Sequence, residues 1–160
     1  MISPAHAARL NAWLRAQADV LGLRDWTLVT QYDADLSPSD LLRGTSNEQT
    51  PACEMLALHG RKRAVISLAR DFSTLPSGEQ KHALVHELVH IHFAAARDVV
   101  RLELAEARAM GQSEYSLLFW NFDRHLEYGV DALAEVLSKG LPDLPSDVDD
   151  TTDVEIPVLI

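Results

Sequence analysis

The stretch "KHALVHELVHIHF", residues 81–93, carries four of the chain's seven histidines within eleven positions, and two of them close the pentad His86-Glu87-Leu88-Val89-His90. The segment reads as a helix. Ser77 stands as an N-cap with Gln80 three residues on, a capping-box spacing, and the apolar repeat runs to about Arg97. Residues four apart on a helix lie about 40° apart around its axis. His86 and His90 therefore face the same way and can bind one metal ion together. Glu87 stands about 60° from His90, near enough to reach a water on that ion but too far round to be an equal ligand. Zinc suits two imidazoles and a carboxylate, with water in the fourth position. That water's pKa falls to roughly 7, so Glu87 can take its proton near neutral pH. Leu84, Leu88 and Ile91 lie away from the pair, and Val85, Val89 and Phe93 extend the apolar surface. Ala83 and Ala94 leave space beside the histidines, as the floor of a cleft does. His82 reads as a surface residue near the helix start, and His92 as a hydrogen-bonded core residue.

A catalytic zinc takes a third protein ligand. In "FDRHLEYGVDALAEVL", residues 122–137, Glu127 and Asp131 share one helical face. The apolar centre of that helix is Tyr115, Phe119, Phe122, Leu126, Leu133 and Leu137. Glu127 lies at its edge, in line with Trp120 and Ala134. A partly covered carboxylate needs a partner, which makes Glu127 the first candidate. Asp131 is spaced to orient a ligand histidine through its second ring nitrogen. His125 and Asp123 stay open as alternatives, as do Glu103 and Glu106 in "RLELAEARAM", a pattern typical of solvated helices. Cys53, on a strand ahead of the histidine helix, resembles the ligand cysteine of peptide deformylases in placement. Its surroundings, "PACEML", are not their E-G-C-L, and a buried free cysteine is the simpler reading.

The rest of the chain fits one α+β domain. Ser3-Pro4 opens a first helix stopped near Gly22. "DWTLVTQYD" (25–33) reads as a strand. "LSPSDLL" reads as one helical turn capped by Ser37, and 45–51 as a loop. "CEMLALHGRKRAVISLAR" (53–70) reads as two strands joined by the turn 59–62. After the histidine helix, Asp98 is expected to cap a further helix ending at Met110-Gly111. Ser113 is expected to cap a long one reaching Lys139. The expected architecture is a small, mostly antiparallel sheet packed on the H-E-x-x-H helix, with further C-terminal helices. The domain is expected over residues 1–141, followed by an acidic tail, 142–160.

The net charge is −10, and the tail holds six of those negative charges with no Lys or Arg. Nucleic-acid binding is not expected, since phosphate contact needs a basic face. Arg61-Lys62-Arg63 reads as a solvated turn. No apolar run approaches the roughly 20 residues of a membrane span. One cysteine and no secretion-type N-terminus suit a cytoplasmic protein.

His86, Glu87 and His90, followed by Glu127 and Asp131, resemble the zincin pattern, in the glutamate-zincin version typified by thermolysin. The order "LRDWTLVTQYD", short hairpin, "HELVHIHF" resembles small H-E-x-x-H metallopeptidases of phages and prophages, distant kin of the ImmA/IrrE group. The resemblance covers roughly residues 10–140. It implies a zincin-like domain with one zinc ion bound by His86, His90 and Glu127. It also implies Glu87 as the base, Asp131 behind a ligand, and a peptide or protein substrate. In zincins a strand above the active helix pairs with extended substrate, and "RAVISLAR" is the candidate, with an ordinary core strand as the alternative. The expected activity is zinc-dependent peptide-bond hydrolysis. The competing readings are a non-catalytic, metal-stabilised interaction module and a deformylase-like hydrolase using Cys53. Tyr115, Tyr128 and His125 are the available oxyanion donors.

Overall fold

The computed structural model describes residues 2–34, 36, 52–106 and 112–146. In chain order the elements are α1 (Pro4–Val20), β1 (Thr27–Ala34), β2 (Cys53–Leu58), β3 (Arg63–Ala69), α2 (Ser77–Glu106) and α3 (Gln112–Gly140). Among the described residues this is an α+β domain of three helices and a three-stranded sheet. The turn capped by Ser37, the loop 45–51, the side chains of Glu106 and Tyr115, and residues 147–160 lie outside the description.

Helix α1 begins as its sequence dictates. Ser3 Oγ accepts from the His6 amide at 3.2 Å, and Pro4 takes a position whose N–H needs no partner. The helix ends where Gly22 adopts a φ of +79°, a conformation that costs glycine little. Leu10, Trp13, Leu14 and Ala18 are buried in the hydrophobic core.

The sheet order is β1-β3-β2. β2 pairs antiparallel with β3, but β1 runs parallel to it from Thr27↔Arg63 onward, so the sheet is mixed rather than mostly antiparallel. "RAVISLAR" is the central strand, not an exposed edge. Its inward residues Ala64, Ile66 and Leu68 are fully buried, and both its edges are hydrogen-bonded to neighbours. β2 is the edge strand that touches α2. Cys53, Met55 and Ala57 turn inward while Glu54, Leu56 and Leu58 are exposed.

Helix α2 runs unbroken for 30 residues, where a break at Asp98 was expected. No glycine or proline interrupts residues 79–106, and the Asp98 carboxylate pairs with Arg101 at 3.5 Å instead of capping a new helix. The helix start also differs from a closed capping box. The Pro76 carbonyl accepts from the amides of Glu79 and Gln80, and the Gln80 side chain donates to the Leu75 carbonyl at 2.8 Å.

Helix α3 lies antiparallel to α2. Val130 and Ala134 are fully buried at their junction with the core, whereas Leu133, expected at the apolar centre, is exposed. Beyond α3 the chain folds back over the other helices. Lys81 Nζ donates to the Leu141 carbonyl at 2.6 Å and pairs with Asp143 at 3.0 Å. Trp13 Nε1 donates to the Pro142 carbonyl, and Arg9 to that of Ser146. The turn at 61–63 is exposed, and Lys62 pairs there with Asp25. No helix among the described residues is long and apolar enough to cross a membrane.

Candidate metal centre

The four-residue repeat of α2 stacks His82, His86 and His90 in a column, and the same repeat on α3 sets Glu135, Asp131 and Glu127 opposite. Contacts run between the columns. His82 Nε2 is 3.9 Å from Glu135 Oε2, and His86 Nδ1 is 2.8 Å from Asp131 Oδ1. Glu127 Oε2 lies 3.4 Å from His86 Nε2 and 3.3 Å from His90 Nε2, and those two nitrogens are 2.9 Å apart.

These three atoms make a small triangle of lone-pair donors. Zinc bonds of about 2.0–2.1 Å in tetrahedral geometry put ligand atoms about 3.3–3.4 Å apart. Both Glu127 edges have that length, and the edge between the histidines is a few tenths shorter. His86, His90 and Glu127 are the one group among the described residues whose ligand atoms are arranged to hold a metal ion. Asp131 orients one of the rings. A carboxylate at His86 Nδ1 keeps a proton on that nitrogen, so Nε2 is the atom that gives up its proton to Glu127 or to solvent and turns a lone pair to a metal.

The electrostatics agree with this geometry. Burial would raise the Glu127 pKa, but hydrogen bonds from His86 and His90 hold its carboxyl well below the usual carboxylate range. Burial would lower the His86 pKa, yet Glu127, with Glu87 and Asp131 behind it, raises it above the ordinary 6.5. The Glu127 and Asp131 side chains keep 42% and 57% of their surface exposed, so water reaches the triangle from the α3 flank.

Glu87 turns toward β2. It is buried, and the Cys53 thiol donates to its Oε1 across 3.8 Å. Burial pushes its pKa up to about 7, against the pull of His90 and His86. The thiol itself is pushed well above its ordinary range by burial and by Glu87, which leaves it unreactive. Cys53 thus contacts the glutamate and takes no part in the triangle.

The other candidates have other partners. Asp123 forms a double pair with Arg97, at 2.8 and 3.1 Å. Glu103 and His125 are exposed. His92 is exposed too, not a core residue, because the apolar face of α2 passes through Leu88 and Ile91 instead. Tyr128 packs edge-on to His125, and its hydroxyl accepts from Arg124 Nε at 2.9 Å. The guanidinium of Arg124 lies over two rings, 5.1 Å from the Trp120 centroid and 5.6 Å from that of Tyr128. The sequence reading missed this stack, although the spacing Trp120-x3-Arg124-x3-Tyr128 is the signal for it.

Beside His90 a cleft opens between β2 and α2. Met55, Ala57, Phe93, Ala94, Arg97 and Leu126 line it. Ala94 leaves the room there that its small side chain implied. Comparison with protein-family models, with curated proteins and with solved structures finds no match to this chain.

Proposed function

We propose that this chain is a zincin-like, zinc-dependent peptide hydrolase. The observation that carries the reading is the triangle of His86, His90 and Glu127 donor atoms with Glu87 buried beside it. A zinc ion bound there would polarise a peptide carbonyl and acidify a water molecule on it. His86 and His90 supply neutral nitrogens, Asp131 fixes the tautomer of the first, and Glu127 supplies the anionic ligand. Glu87 takes the proton of the attacking water and hands it to the departing amine. A carboxyl with a pKa near 7 suits both directions of that transfer. An extended peptide would pair with the edge of β2 that no described strand covers and lay one side chain in the cleft beside His90.

Zinc content and cleavage of a peptide library, for the parent and for Glu87→Gln, test the proposal. The expected result is one zinc per chain in both proteins, with cleavage by the parent alone. Zinc in both with cleavage by neither favours the metal-stabilised interaction module, and no zinc in either defeats both readings.

A further inference from the structure

Helices α2 and α3 carry five described Lys or Arg residues. Four are ion-paired: Lys81 with Asp143, Arg97 with Asp123, Arg101 with Asp98, and Lys139 with Glu135. Arg124 is the exception. One of its N–H groups goes to the Tyr128 hydroxyl, and the rings of Trp120 and Tyr128 hold its guanidinium plane. Four of an arginine's five N–H donors stay available in that pose. Such an arginine has already given up much of its rotamer freedom, so it loses less on gripping a planar anion.

Arg124 lies three residues before the ligand Glu127, about one helical turn, where side chains are neighbours. It also shares a strip of α3 with Asp131, two turns on and about 20° round. Both carboxylates are turned away to histidines. That flank is also the one through which water reaches the triangle. In a chain with a net charge of −10, a ligand carboxylate approaching past Glu127, Asp131 and Glu135 would be repelled without a fixed cation.

We infer that Arg124, held by Trp120 and Tyr128, is the specificity residue that selects substrates bearing a carboxylate next to the group at the metal. The inference rests on the metal-centre reading above. The carboxylate is either an acidic side chain or a peptide's C-terminus, and both offer the same bidentate acceptor.

The test uses zinc-loaded full-length protein, with zinc content measured alongside. Glutaric monohydroxamate and its neutral carboxamide analogue are titrated into the parent, Arg124→Gln and Arg101→Gln. The parent and Arg101→Gln are expected to bind the carboxylate probe about tenfold more tightly than the amide, as one charge-assisted pair implies. In Arg124→Gln the two affinities should fall within about twofold of each other. Displacement of the probe by an amidated glutamyl peptide assigns a side-chain carboxylate, and displacement by tetra-alanine with a free C-terminus assigns a terminal one. Equal binding of both probes to the zinc-loaded parent, or a preference that survives Arg124→Gln, overturns this inference alone. Absence of zinc overturns the metal-centre reading as well.

Discussion

Asp131 Oδ1 sits 2.8 Å from Nδ1 of His86, while the opposite nitrogen of the same ring faces Glu127 and His90. The ring is thus gripped at one end and free to coordinate at the other. Replacing Asp131 with Ala releases the ring and its tautomer. Zinc affinity should fall about 10- to 100-fold, the usual cost of losing such a partner. Competition with a chelator of known affinity measures it, and far-ultraviolet circular dichroism should stay unchanged.

Loss of any corner of the triangle should have a larger effect than loss of its neighbours. His90→Ala and Glu127→Ala are expected to bind less than one zinc per chain at micromolar metal. His125→Ala and His92→Ala, which alter exposed rings outside the triangle, should keep full stoichiometry. Elemental analysis after gel filtration distinguishes the two groups.

The buried Glu87 makes metal-free stability depend on pH in a defined sense. Its folded pKa of about 7 exceeds the ordinary 4.5, so the native state holds that proton more tightly than the unfolded chain does. Stability is then lost as pH rises from the lower value through the higher, by roughly 3 kcal/mol at most. Glu87→Gln removes that loss. Its Tm should exceed the parent's near pH 8 and approach it near pH 5, as read by calorimetry of the metal-free proteins.

Lys81 is nearly buried at the start of α2, and its ammonium holds the Leu141 carbonyl and the exposed carboxylate of Asp143. Lys81→Met should cost about 1.5–3 kcal/mol, the range for hydrogen bonds to charged groups. Asp143→Ala, altering a side chain that is 94% exposed, should cost less than about 1 kcal/mol. Urea unfolding of the metal-free variants gives both numbers.

Much of this arrangement was legible in the chain. A four-residue spacing on a helix is a rigid ruler, so His86, His90 and Glu87 could be oriented without any tertiary knowledge. Glu127 and Asp131 could be related to each other in the same way. Their meeting with the histidines depends on how α3 docks on α2, which the apolar pattern of either helix alone leaves open. The pattern of α3 even misled at Leu133, because small Ala134 rather than a large side chain fills the contact. Strand order was the least readable feature. β3 alternates buried and partly buried residues as an edge strand can, and only the pairing of β1 on its far side makes it central. The approach of Cys53 to Glu87 joins residues 34 apart in sequence, and no local spacing encodes it.

X-ray absorption or anomalous scattering from the zinc-loaded protein tests the metal centre most directly. The expected result is one zinc bonded at about 2.0–2.2 Å to a nitrogen of His86, a nitrogen of His90 and an oxygen of Glu127. A sulfur in the coordination shell, or a fully loaded sample with no metal at either imidazole, would contradict it.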